Sequence, residues 1–500
     1  MQSYTPPIAA PVYDQVNQHA IKRVLFLSLP ALMEAGDDYL NDGHSFHLGI
    51  AYIAALLRSQ GLEVKILDSY AEDRKHLRTS SDEHWHEYGL SDEDILSAIG
   101  EYAPDMLGMT IPFSCQHYLA MDIARRIKAQ FPQLILVAGG NHVTAVPQDI
   151  DRSVIDYLVL GEGEYALLSL IQSLNNGEAV DEQRGIMQHN SQDCIHSQHI
   201  DDLDVLPFPA LDLLPLDKLW QTGRRWINMV ATRGCVYSCN FCSIHTIMGR
   251  RIRRRSVENV IAEIEHWKRL YKIQEIYFED DNLTANKKWA KQLFSEIARR
   301  KFNIRFYARN GIRADSIDKE LLVLMKAAGF QDFMIAPESG SQETLDTIIG
   351  KKMKLEDCTR AVKLAHEVNL GVNLFFVIGF PGETWEQIDA TITYARYLKN
   401  LGANGVWISM ASPYPGTRLF QECMEKGFIP KDYDYRRCRT ADYQIANPNY
   451  TALELKVYRN KAMASLVSPH TKTVAARNAL HLLLSDPLYL MVKLRYKLQV

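Results

Sequence analysis

Cysteine is scarce in this sequence, with eight thiols in 500 residues. That density excludes the disulfide framework of a small secreted domain. No apolar run reaches the roughly eighteen residues that a membrane-spanning helix needs. The first twenty residues, MQSYTPPIAAPVYDQVNQHA, lack the basic stretch followed by an apolar one that marks a secretory signal. A surplus of charge is missing too: the net charge is −4, which gives no overall electrostatic reason to expect a nucleic-acid partner. The expectation is a cytoplasmic protein, and in a reducing compartment clustered thiols are metal ligands or redox groups.

What is present reads as globular, with 47% hydrophobic and 23% charged residues, and the length predicts two or three domains. From residue 22, strand-like and helix-like runs alternate: KRVLFLSLP (22–30), LGIAYIAALLRSQG (48–61), LEVKILD (62–68), DEDILSAIGEYAP (92–104), DMLGMTIP (105–112), AMDIARRIKAQFP (120–132), QLILVAGG (133–140) and YLVLGEGE (157–164). Such βα alternation predicts a parallel, doubly wound sheet whose ligands bind beyond the carboxyl ends of the strands. Residues 176–225, with the proline-bearing LDVLPFPALDLLPLD, read as a connector, because X-Pro steps favour extended backbone. A second βα series runs from WINMVAT (226–232) to ANGVWISMASP (403–413). Its six units predict a partial TIM-like barrel with its chemistry at the C-terminal strand ends. The predicted boundaries are an extension (1–20), a first domain (21–175), a linker (176–225), the barrel (226–412) and a helical C-terminal region (413–500).

Directly after the first barrel strand comes RGCVYSCNFCSIH (233–245), which places Cys235, Cys239 and Cys242 in C-x₃-C-x₂-C spacing. A [4Fe–4S] cluster is commonly held by four thiolates. Supplying three leaves one iron open, by the logic that leaves catalytic zinc an open position. A zinc site recruiting His245 is the alternative, disfavoured by the position after a barrel strand. The segment resembles the cluster loop of radical S-adenosylmethionine (SAM) enzymes, C-x₃-C-x-aromatic-C, with Phe241 in the aromatic slot near the adenine. The resemblance implies that the open iron chelates SAM. One electron then cleaves its C–S bond, giving methionine and a 5′-deoxyadenosyl radical that abstracts hydrogen.

Later strand ends are similar to motifs of the same superfamily. YFEDDNLT (277–284) offers Glu279 and Asp280 to the SAM amino group, and ARNGIRAD (308–315) offers Arg309 to its carboxylate. PESGSQETL (337–345) offers Glu338 and Ser339 to the ribose or methionine end, and VIGFPGET (377–384) offers Gly379 to the adenine. The upstream sheet makes the chain resemble the cobalamin (B12)-dependent branch, a likeness covering about 440 residues. It implies a doubly wound (Rossmann-like) cobalamin-binding domain ahead of a partial (β/α)6 radical SAM barrel. Thr110, Gly139, Gly140, His142, Thr144, Gly161, Glu162, Gly163 and Glu164 match that branch's cobalamin-domain motifs. Glycines at strand ends admit a bulky ring or its nucleotide tail to the backbone. DGHSFH (42–47) has Asp42 and His44, but His47 where the cobalt-ligating motif D-x-H-x-x-G has glycine, so His44 reads as a loop histidine.

The resemblance implies methyl transfer from SAM through methylcobalamin to an unactivated carbon or phosphorus. The alternative is radical rearrangement or oxidative cyclisation with the same cofactors. An inactive cobalamin sensor is a third reading, opposed by the intact cysteine triad. A tRNA methylthiotransferase needs three further N-terminal cysteines, whereas this region has only Cys115 and Cys194; Cys358, Cys423 and Cys438 are scattered singly. The implied partners are a small-molecule, lipid or peptide substrate and an electron donor of flavodoxin or ferredoxin type. The run GRRIRRRS (249–256) reads as an anion-neutralising or packing connector rather than an RNA site. Residues 451–500 hold eight Lys/Arg against two Asp/Glu and read as a basic helix capping the barrel, with membrane contact the second reading.

Overall fold

The computed structural model describes residues 20–34, 47–78, 85–189, 191, 195–196, 198–220, 223–439 and 442–466. Asp42, His44, Cys194, the extension before residue 20 and the basic tail from 467 lie outside the described residues. The first half is built on β1 (Arg23–Ser28), α1 (Leu48–Ser59), β2 (Glu63–Asp68), α2 (Asp92–Tyr102), β3 (Met106–Thr110), α3 (His117–Gln130), β4 (Ile135–Gly139), α4 (Asn141–Ala145), β5 (Tyr157–Val159), α5 (Gly163–Asn176) and β6 (Ile186–Gln188). The strands order as β2-β1-β3-β4-β5-β6, parallel except for β6, which runs antiparallel to β5.

Strand alternation explains the two covered faces. Val24 and Phe26 of β1 enter the core shared with α1 and α5, while Leu25 and Leu27 enter the core under α2 and α3. A sheet buried on both sides is the doubly wound arrangement that the near-continuous apolar strands predict. The chain steps from β1 to β2 on one side and to β3 on the other. The crevice therefore opens beyond the carboxyl ends of β1 and β3. A small antiparallel sheet of residues 31–34, 85–88 and 77–78 was not apparent from the sequence.

The second half runs β7 (Trp226–Met229), α6 (Ile244–Ile247), α7 (Val257–Tyr271), β8 (Glu275–Phe278), α8 (Lys287–Arg300), β9 (Arg305–Ala308), α9 (Lys319–Ala328), β10 (Phe330–Glu338), α10 (Leu355–Glu367), β11 (Gly371–Ile378), α11 (Trp385–Asn400), β12 (Gly405–Met410), α12 (Arg418–Glu425) and α13 (Ala452–Leu466). Strands β7 to β12 pair in chain order, all parallel. Helix α7 shows why the boundaries fall where they do: the Ser256 hydroxyl accepts from Asn259 N–H at the start, and Lys272 in left-handed backbone ends it. The open edge of β12 is covered by α13, where Arg459 Nε donates to the Ile408 carbonyl at 2.7 Å and Ile408 N–H donates to Met463 Sδ at 3.3 Å.

The stretch 176–225 does more than connect. It supplies β6 and buries Leu203, Leu206, Leu211, Leu214, Leu216 and Leu219 in the core shared by both halves. Ala210 N–H donates to the Ala51 carbonyl at 2.9 Å, which pins the segment to α1.

Candidate functional site

The cysteine loop has a narrow neck. Thr232 and Arg233 pair antiparallel with Arg254 and Arg253, closing the stretch that carries Cys235, Cys239 and Cys242. Gly234 has φ +90°, and a Cβ there would lie 2.5 Å from the Arg251 carbonyl oxygen, so no larger residue fits the neck. Neighbouring elements hold the loop. Asn240 N–H donates to the Ile349 carbonyl at 3.0 Å, and Leu419 N–H at the start of α12 donates to the Asn240 carbonyl at 2.9 Å. All three thiols are half-buried and unpaired by disulfide. Burial pushes the Cys242 thiol up to about 12; the Cys239 thiol also rises through burial, opposed by the nearby Lys351 cation. Phe241 meets Phe380 at 5.9 Å between ring centres, which brings the loop against the GFPGE turn.

Three successive acids follow β8 and part company. Glu279 is raised by burial, and one of its oxygens accepts from Asn228 Nδ2 at 2.5 Å. Asp280 is 1% exposed and turns under the strand ends, where Oδ1 accepts from Ala231 N–H and from the Thr232 hydroxyl at 2.7 Å. Burial raises its carboxyl to about 7. Asp281 accepts from Gly234 N–H at 3.1 Å, and burial raises it to about 6. On the next strands, Arg309 lies over the rings of Tyr277 and Tyr307 at 5.0 and 4.7 Å and reaches Asp332 at 3.5 Å. Glu338 sits at φ +65° with Oε1 bound to Lys351 Nζ at 2.6 Å; its Oε2 is buried without a hydrogen-bond partner. Arg313 stacks on Tyr237 of the cysteine loop at 3.4 Å and is held by Asp315 at 2.8 Å.

Between the two halves lies a cavity of about 320 Å³. The first sheet contributes Thr110, Gly139, Gly140, Gly161, Glu162 and Gly163; the second half contributes Thr232, Arg233, Glu279 and Asp281. The crevice of the doubly wound sheet thus opens onto the neck of the cysteine loop and the acidic end of β8.

Comparison with known proteins bears on what this junction serves. Residues 229–395 match the Radical SAM superfamily, and residues 39–171 match the B12 binding domain. An uncharacterised methyltransferase of Pyrococcus horikoshii is 32% identical over 426 residues, covering 84% of this chain and 87% of its own. The cytidylyl-2-hydroxyethylphosphonate methyltransferase of Streptomyces wedmorensis is 30% identical over 434 residues, covering 78% and 80%. The chain belongs to the cobalamin-dependent radical SAM enzymes. The fold agrees: the radical SAM methyltransferase TsrM of Kitasatospora setae superposes with TM-score 0.68 at 17% identity over 90% of this chain and 89% of that one. The cobalamin-dependent SAM radical enzyme OxsB gives 0.71 at 18% identity over 93% and 72%. Enzymes of this family use a [4Fe–4S] cluster, SAM and cobalamin.

The residues present in this cobalamin-dependent radical SAM enzyme fit those groups. Three soft thiols on one loop suit an iron–sulfur cluster with one open iron. The orphaned Glu338 Oε2 is an acceptor waiting for a donor such as a ribose hydroxyl. Thr110 and the four glycines 139, 140, 161 and 163 line the cavity, and at Gly140 and Gly163 a Cβ would collide with Ile111 and Ile53, so glycine is what lets the chain pass close there.

Five of the expected site residues are placed differently from the sequence reading. Asp280 does not line the cavity; the third acid, Asp281, lines it instead, because it lies two residues beyond Glu279 and so on the same side of the chain. Ser339 faces α11, with its hydroxyl against Thr391 Oγ1 at 3.0 Å. The space beside Gly379 is filled by the chain itself, since a Cβ there would meet Leu455 at 2.6 Å and Tyr443 at 2.8 Å. His142 and Thr144 lie behind the cavity: His142 Nδ1 contacts Ser114 Oγ at 3.0 Å, and Thr144 Oγ1 accepts from Gly161 N–H at 3.0 Å. Glu162 does line the cavity, but its carboxylate is engaged by Arg233 and Arg253 at 2.8 and 2.6 Å. Asp281, Arg233, Arg313 and Lys351 escaped sequence reasoning. The only hints were the third acid of FEDD and an arginine two residues before the first cysteine of the triad.

Proposed function

We propose that this enzyme moves a methyl group from SAM, by way of cobalamin, to an unactivated carbon or phosphorus of a small-molecule acceptor. The observation that carries this reading is a cavity lined by both the strand ends of the B12-type sheet and the neck of the cysteine loop. When bound, the cluster, SAM and cobalamin supply the radical and methyl-transfer chemistry. The protein supplies the rest. Cys235, Cys239 and Cys242 would hold the cluster, with Lys351 and Arg313 as the nearby cations that favour thiolate. Glu279, Arg309 and Glu338 would orient SAM, with Phe241 packed beside the GFPGE turn. Arg309, which lies over two tyrosine rings with Nε near Asp332, would offer its other donors to a carboxylate. Thr110, Gly139, Gly140, Gly161 and Gly163 would receive cobalamin. The units serving these tasks are 21–175 for cobalamin, 226–412 for SAM and cluster, and 413–500 for acceptor contacts, with 176–225 tying them together.

An electron donor of flavodoxin or ferredoxin type in the cytoplasm completes the reading. No described helix is long and apolar enough to cross a membrane. The test is anaerobic reconstitution with the three cofactors, a one-electron reductant and SAM labelled in its methyl group. The first acceptor to try is cytidylyl-2-hydroxyethylphosphonate, on which a relative acts by name. Labelled product together with S-adenosylhomocysteine and 5′-deoxyadenosine supports methyl transfer. A transformed acceptor with 5′-deoxyadenosine but no label would replace it with rearrangement or cyclisation.

A further inference from the structure

The turn Gly161-Glu162-Gly163-Glu164 belongs to the cobalamin half, yet its charges face the radical half. Glu162, with a side chain 1% exposed, accepts from Arg233 Nη1 at 2.8 Å, from Arg253 Nη1 at 2.6 Å and from Ile200 N–H at 2.7 Å. Glu164 accepts from Arg233 Nη2 at 2.7 Å. Arg233 and Arg253 are cross-strand partners in the ladder that closes the cysteine loop. One carboxylate from the first half therefore grips both stems of that loop. The Arg233 guanidinium also lies over the Tyr52 ring of α1 at 5.3 Å. Arg253 Nη2 reaches back to the Met248 carbonyl at 3.0 Å, inside the loop. Burial alone would raise the Glu162 carboxyl, but the two arginines outweigh it and hold it below its ordinary value.

We propose that Glu162 and Glu164 are positioning residues for the cysteine loop and its cluster, acting through Arg233 and Arg253, rather than residues that hold cobalamin. The proposal rests on the reading that the loop carries the cluster. Two buried cations face Glu162, Glu164 and, at Gly234, Asp281, so the neck is a buried ionic network that begins two residues before Cys235. Neutralising one carboxylate makes the neck more positive by one charge, which favours the reduced cluster and moves its potential upward.

The test uses the full chain as wild type, Glu162→Gln, Glu164→Gln and Glu162→Asp, each loaded with cluster and hydroxocobalamin. Expected for Glu162→Gln is an unchanged cobalamin affinity, a more positive cluster midpoint potential, and SAM cleavage to 5′-deoxyadenosine slowed about tenfold. Glu164→Gln, which removes one of the two bridges to Arg233, shifts both less, and Glu162→Asp recovers part of the rate. Loss of cobalamin with an unchanged cluster potential overturns the proposal. A second measurement needs no cofactor: trypsin cleavage at the exposed Arg250 and Arg251 of the apo-protein loop. It should quicken about fivefold in Glu162→Gln as the neck opens more often, and an unchanged rate overturns the positioning role. A wild-type chain that loads no cluster would count against the proposed function, while the protease comparison still decides the gripping of the loop.

Discussion

Glu383 shows how one buried acid can set a pH dependence. Its Oε2 accepts from Gly379 N–H at 2.6 Å and from Phe380 N–H at 3.1 Å, while Oε1 is buried without a partner. Burial raises its carboxyl from 4.5 to about 7. Between these values the unfolded chain releases the proton while the folded one keeps it, so stability falls as pH rises from about 4.5 to about 7. The loss is on the order of 3 kcal/mol from this group. Glu383→Gln keeps a carbonyl oxygen for both N–H donors and should flatten that part of the profile. Denaturant unfolding of the apo-protein at pH 5 and pH 8 checks this, and parallel profiles for the two proteins would refute it. The Glu338–Lys351 pair makes a second case. Lys351→Met strands the Glu338 carboxylate, at 4% exposure, and should destabilise by about 3 kcal/mol. Adding Glu338→Gln should return much of that loss; additive losses in a double-mutant cycle would rule out the coupling.

At the scale of elements, the GFPGE turn is clamped from outside the barrel. The Tyr443 hydroxyl donates to the Gly379 carbonyl at 2.8 Å, Asn447 Nδ2 donates to the Phe380 carbonyl at 3.1 Å, and Leu455 of α13 fills the space beside Gly379. Gly379→Ala should therefore destabilise by about 2 kcal/mol or more, from the clash and from φ +90°. Combined with Leu455→Ala, which removes the nearest atom, the loss should be less than the sum of the two; strict additivity in thermal unfolding would mean that the contact is not felt. This clamp also marks where sequence reading stops. The apolar spacing of VENVIAEIEHWKRLY made α7 legible at 257–271, and the succession of strand-like and helix-like runs made both sheets legible. The partner of a strand-end acid has no local signature. Glu162 looks alike whether it meets a ligand or an arginine 71 positions later. Gly379 announces a close approach without saying that Leu455 makes it.

For the whole molecule, one apolar core runs from the α1 and α5 face of the first sheet, through the leucines of 203–219, to the barrel and α13. Both halves should then unfold together. Tryptophan fluorescence, which reports mainly on the barrel, and far-UV circular dichroism should give coincident urea curves, and two separated transitions would contradict the shared core. The covered margin of β12 carries a different lesson. A sheet of six strands has raw borders that invite pairing with another chain. Here the border is hemmed by an arginine and a methionine rather than by a seventh strand. Arg459 and Met463 must keep their contacts with Ile408 for the hem to hold. The outer face of that helix, which exposes Leu453 and Val457, is free to drift in sequence, whereas Leu455, Ala462 and Leu466, buried against the barrel, are not.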